Sequence, residues 1–150
     1  MHISPISLFA LLLAVMPFLS CKAGYDFIPP CTMPNGVAST SLTYAPPALV
    51  QALRDHIGEI AAPGASFNAT DNTDFVGTGL HRRLIFIWHS GRRWIVATEH
   101  GGRGYDDPIF AYDLSDDRRG ATLVQESIAD PDTVCATAAS LLRANPQTQQ

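Results

Sequence analysis

Lysine is almost missing from this chain of 150 residues, Lys22 being the only one, and charge of any kind is thin at 16% of positions. Ten basic residues face fourteen acidic ones, giving a formal net charge of −4 and an isoelectric point near 5.6. That balance excludes a protein drawn to nucleic acid by its charge, because phosphate backbones attract basic surfaces. Disorder is excluded from the other side: a chain 46% hydrophobic with so small a net charge buries a core. Several motifs are missing as well. There is no Cys-x-x-Cys or His-x-x-x-His pair for a metal, no Gly-x-x-x-x-Gly-Lys phosphate loop and no Gly-x-Ser-x-Gly nucleophile turn. His81, His89 and His100 are too far apart to form a local ligand pair. Asp71-Asn72-Thr73-Asp74 begins like a calcium loop but lacks the glycine and the closing glutamate. No metal or cofactor is expected.

What is present begins with a leader. Residues 6–19 are apolar apart from Ser7 and Pro17, too short a run to span a bilayer and suited to the core of a signal peptide over 1–20. The competing reading, a buried N-terminal helix, has to accommodate Pro17 in its interior. The segment Phe18-Leu19-Ser20-Cys21 resembles a bacterial lipobox, with Phe18 where leucine is usual. The resemblance implies lipidation at Cys21 and, with Lys22 rather than aspartate following, sorting to the outer membrane. Cleavage after Ala23, giving a soluble periplasmic product, is the alternative. Either way the chain is expected to be exported.

Three cysteines leave one over in an oxidising compartment. If Cys21 carries lipid, Cys31 and Cys135 remain as an even pair, and a disulfide between them would close a loop of about a hundred residues. Two unrelated buried thiols are the other possibility.

Residues 21–45 are rich in Pro, Gly, Ser and Thr and read as a tether or irregular arm. A single domain is expected over 46–145, with a frayed tail at 146–150. Pro46 and Pro47 open a helix whose stripe is Leu49, Val50, Leu53, Ile57 and Ile60, stopped at Pro63-Gly64. Strands are predicted over 74–78, 83–89, 92–99, 108–114 and 121–126. The second and third form a hairpin turning at Ser90-Gly91, which pairs Trp88 with Arg93 and Ile87 with Trp94. One face then carries Ile85, Ile87, Trp94 and Val96, and the other Leu84, Phe86, Trp88, Ile95 and Ala97. Apolar residues on both faces predict a hairpin covered on two sides. Asp130-Pro131-Asp132 starts a last helix, with an acidic N-cap and with Val134, Ala138, Leu141 and Leu142 buried, before Asn145-Pro146 stops it. The fold class is α+β: an antiparallel sheet of three to five strands with an N-terminal and a C-terminal helix packed on it.

The segment richest in chemistry is Glu99-His100-Gly101-Gly102-Arg103-Gly104-Tyr105-Asp106-Asp107. Three glycines in four positions permit conformations closed to other residues, and polar groups crowd the loop directly after a core strand. The plain alternative is a connection whose glycines serve geometry alone. His100-Gly101-Gly102 resembles the oxyanion loop of esterases, but the matching serine motif is missing. The arginine pairs Arg82-Arg83, Arg92-Arg93 and Arg118-Arg119 read either as surface charge or as interface residues. Arg93 is placed to stack on Trp88.

In plan (a leader, one compact domain, a projecting loop) the chain resembles small periplasmic immunity proteins that block peptidoglycan amidases delivered by type VI secretion. Envelope lysozyme inhibitors share that plan. The resemblance implies a binding or inhibitor protein whose partner is another periplasmic protein such as a peptidoglycan hydrolase. The expected partner-binding residues are His100, Gly101, Gly102, Arg103, Gly104, Tyr105 and Asp106, with no catalytic residue and with membrane contact only through a lipid on Cys21. Two other readings stand beside it: a small periplasmic hydrolase using His100 with Asp106 or Asp107, and a structural envelope lipoprotein.

Overall fold

A computed structural model describes residues 31–32, 36–70, 79–102 and 106–144. The leader, Cys21, the candidate strand at 74–78, the calcium-like run from Asp71 and the tail from residue 145 lie outside the described residues.

Five strands form one antiparallel meander in chain order: β1 (Val37–Ser39), β2 (Arg82–Ser90), β3 (Arg93–His100), β4 (Asp107–Leu114) and β5 (Ala121–Ala129). Helix α1 (Pro47–Ile57) and helix α2 (Val134–Arg143) complete the α+β fold. Leu49 and Leu53 of α1 pack with Leu84, Ile87, Trp94, Val96, Phe110 and Tyr112 on one face. Val134, Ala138 and Leu141 of α2 pack with Phe86, Trp88, Ile95, Ala97 and Ile109 on the other. The helices therefore cover opposite faces, as the two-sided apolar hairpin predicts. Each fully buried large apolar side chain in these layers contributes about 1.5–3 kcal/mol.

The hairpin differs from its sequence reading in two ways. Its turn is Gly91-Arg92, so Ser90 pairs with Arg93, His89 with Trp94 and Trp88 with Ile95. Gly91, at φ 60°, supplies the positive φ that the first position of a type II′ turn needs. In addition, a bulge between Leu84 and Phe86 inserts one residue into β2. Strict alternation therefore fails there: Leu84 joins the α1 face with Ile87, and Ile85 packs with Phe86 and Trp88.

The helix ends also move. Gly58, at φ 79°, caps α1 ahead of the Pro63-Gly64 stop. Ile60 therefore lies beyond the helix, although it still packs against the α1-side core. Helix α2 begins after a turn in which the Asp130 carbonyl, not its carboxylate, accepts from the Thr133 and Val134 amides. Val37–Ser39, within the stretch read as an irregular arm, pairs along β2, and a 3-10 turn at Leu42–Tyr44 follows it.

Arg93 does not stack on Trp88. Its guanidinium bonds both carboxylate oxygens of Asp113, at 2.6 and 3.1 Å, and donates to the Leu141 and Ala144 carbonyls at the end of α2. At the other end of α2 the Cys31–Cys135 disulfide, with Cα atoms 5.4 Å apart, ties the arm to the helix.

Candidate functional site

Three dipeptides meet where β2 begins, β3 ends and β4 begins: Arg82-Arg83, Glu99-His100 and Asp106-Asp107. Arg82 lies opposite His100 and Arg83 opposite Glu99, while His100 forms a bridge with Asp106. Because successive strand residues point to opposite faces, each dipeptide gives one side chain to each helix layer. Arg82, His100 and Asp106 face the α1 side; Arg83, Glu99 and Asp107 face the α2 side.

On the α1 side, His100 Nδ1 lies 3.2 Å from Asp106 Oδ1, and both side chains are about one-third exposed. A second imidazole–carboxylate pair stands on the same face: His56 in the last turn of α1 has Nε2 3.4 Å from Glu126 Oε2 on β5. His56 and Arg82 both lie against Phe110. The imidazole meets that ring edge-on at 5.6 Å, and the guanidinium sits 6.0 Å above its centre. Burial lowers the Arg82 pKa, opposed by the charges of Asp106 and Glu126, and Arg82 Nη1 is buried without a hydrogen bond.

On the α2 side, Arg83 is bound to Glu99 through Nε, at 2.7 Å, and through Nη2, and its guanidinium lies 4.4 Å from the centre of the Phe67 ring. Burial raises the Glu99 pKa against the pull of Arg83. Asp107 is different. It is 0% exposed, and neither carboxylate oxygen has a hydrogen-bond partner. Burial, followed by the charges of Glu99, Asp106 and Asp130, pushes its pKa up to about 6. Of the two aspartates considered as partners for His100, the structure therefore brings Asp106 to it and turns Asp107 to the opposite face.

The root of the Gly-rich connection is clamped. Gly101 N donates to the His81 carbonyl at 2.8 Å, Gly102 N to the Ala69 carbonyl at 3.2 Å, and Asn68 N to the Leu80 carbonyl at 2.7 Å. A Cβ on Gly101 would collide with the Asn68 carbonyl and the Ala69 backbone, so this glycine serves a close approach of two chain segments. Gly102, at φ 133°, needs the freedom of glycine for its backbone. Arg103, Gly104 and Tyr105 lie outside the described residues.

Chemically, the His100–Asp106 pair is an imidazole held by a carboxylate, the arrangement of a general base. Among the described residues, no hydroxyl or thiol is hydrogen-bonded to His100, and no three of His, Cys, Asp and Glu converge as a metal-ligand set. The pairing of His56 with Glu126 escapes a reading of the sequence because 70 residues separate them. The available signal was the helical wheel, on which His56 follows Leu53 by three positions and so borders the buried stripe. No helix among the described residues is long and apolar enough to cross a membrane. Comparison with known proteins returns no matching family model, no significant curated relative and no significantly similar solved structure.

Proposed function

We propose that this chain is a small exported binding or inhibitor protein that engages another periplasmic protein through the sheet end bearing His100, Gly101, Gly102 and Asp106, together with Arg103, Gly104 and Tyr105. The observation carrying this reading is the clamp at the loop root. Gly101 and Gly102 are fixed to the chain at 81 and 69, and the strands beneath them are buried on both faces. A root held at both of these residues lowers the cost of presenting His100 and Asp106, which flank it, to a partner's cleft. Blocking a peptidoglycan hydrolase, as the immunity proteins of similar plan do, is the specific role we favour. Export through the leader, with a lipid on Cys21 holding the protein at the outer membrane, belongs to the same proposal.

The test is capture from periplasmic extract by the immobilised mature protein, followed by titration of the purified captured protein against native chain and loop variants. Specific capture lost in Arg103→Ala and Tyr105→Ala supports the reading; capture indifferent to both contradicts it. One geometric fact favours a second reading, a small hydrolase: the 3.2 Å approach of His100 Nδ1 to Asp106. Hydrolysis of peptidoglycan fragments by the pure protein, abolished by His100→Ala, would establish that reading instead.

A further inference from the structure

We propose that Asp107 is a proton-operated latch on the root of the Gly-rich connection, closed when its carboxyl carries a proton and loosened when it does not. The proposal concerns the isolated chain and holds whichever partner the loop meets.

Asp107 is the first residue of β4 and pairs with Ala129 in the last rung of the β4–β5 ladder. Beside it, the His100–Asp106 bridge is closed by His100 N donating to the Asp106 carbonyl at 2.8 Å and Asp106 N to the His100 carbonyl at 3.3 Å. The next residue, Pro108, has no N–H to add to the ladder. The rung is therefore terminal on one side and short of one ladder hydrogen bond on the other, so it can open without breaking the rest of the sheet.

The surroundings decide which protonation state the closed rung accepts. From β3, Glu99 adds a negative charge; from the residue before β4, Asp106 adds another; from the end of β5, Asp130 adds a third. From β2, Arg83 is the cation at this end of the α2 face among the described residues, and it is held by Glu99; Arg93 lies at the other end, held by Asp113. Helix α2 carries no ionisable side chain except Arg143 at its far end and the disulfide-bonded Cys135, and the clamp segment 61–70 carries none. A carboxylate in that position lacks both water and a partner, so ionisation favours opening the rung to hydrate it.

The sign and window follow. In the closed state the group titrates at about 6, and in an opened, hydrated state at the ordinary carboxylate value of about 4. The closed rung is thus favoured below about pH 4, loses about tenfold per pH unit between those values, and loses no more above about 6. The total change is about a hundredfold.

Amide hydrogen exchange of the His100 and Asp106 amides, read by NMR from about pH 4 to 7.5 and corrected for intrinsic rates, tests this. In the native chain, protection should fall by about a hundredfold by pH 6 and then level off. In Asp107→Asn it should stay flat and exceed the native value at about pH 7. Glu99→Gln, which removes a facing charge and frees Arg83, should shrink the fall and end it at lower pH. This second variant decides the matter if Asp107→Asn does not fold. His100→Gln should leave the fall in place, since the group that loses its proton is the Asp107 carboxyl on the opposite face of the sheet. A flat native profile overturns the proposal. So does a fall unchanged in Asp107→Asn or Glu99→Gln, or one abolished by His100→Gln.

Discussion

The carboxylates of Glu99 and Asp107 lie side by side on the α2 face of the sheet, and among the described residues only that of Glu99 is paired with a cation. The β3–β4 register that joins Ala97 to Ile109 brings them to neighbouring positions two residues further along, and their charges oppose each other. An asymmetric pair of this kind is costly to keep at the end of a sheet. It sits at the root of the connection that we assign to partner binding.

Global stability should register that cost. A carboxyl whose pKa rises on folding stabilises the folded state below its unfolded value of about 4 and ceases to do so above its folded value of about 6. The native chain should therefore lose about 3 kcal/mol of stability from this group between those two values. Asp107→Asn should not lose it. Urea midpoints measured at intervals from about pH 4 to 7 read the difference, and parallel curves for the two proteins would show that Asp107 is not the source.

Arg93 anchors α2. With one guanidinium spanning Asp113 and two carbonyls of the helix end, Arg93→Met strands a carboxylate whose side chain is only 21% exposed. That should cost about 3 kcal/mol, the low end for a broken buried pair because some water still reaches Asp113. Arg93→Met combined with Asp113→Leu should recover much of it, which a double-mutant cycle by chemical denaturation would read.

Removing the Cys31–Cys135 bond should matter through the unfolded chain. A sequence separation of 104 corresponds to about 4.7 kcal/mol in the chain-entropy account. Cys135→Ser should lower the melting temperature of the oxidised protein and leave that of the reduced protein nearly unchanged.

Gly101 and Gly120 offer a matched comparison. Alanine at 101 would drive a methyl group into the Asn68 and Ala69 backbone, with an expected cost of about 1–3 kcal/mol. At 120 the nearest atom is Ser115 Oγ at 3.5 Å, an ordinary contact, and alanine there should change stability by less than about 0.5 kcal/mol. Thermal melts of both variants check the pair.

The fold was legible where periodicity ran unbroken. Continuous apolar runs in 83–99 announced a hairpin buried on both faces, and the spacing of Leu49, Leu53 and Ile57 announced α1. Legibility failed where one residue departs from the pattern. The bulge beside Ile85 exchanges the faces of Leu84 and Ile85, and a turn one residue later than Ser90-Gly91 shifts every cross-strand pair by two. At the site, His100 and Asp106 were visible because they flank one short loop. The partnership of His56 with Glu126 was not, because tertiary packing alone joins a helix end to a distant strand. Asp107 looked like any loop aspartate until β4 was seen to begin there and carry it into the interior.

We propose that the sheet end at 100–106 binds a partner protein. The most direct measurement is calorimetric affinity of the captured periplasmic protein for the native chain and for Arg103→Ala, with both confirmed folded by circular dichroism. Arginine and tyrosine at the centre of an interface commonly contribute about 2 kcal/mol or more, so affinity should fall by about thirtyfold or more. An affinity unchanged in Arg103→Ala and in Tyr105→Ala would contradict the account.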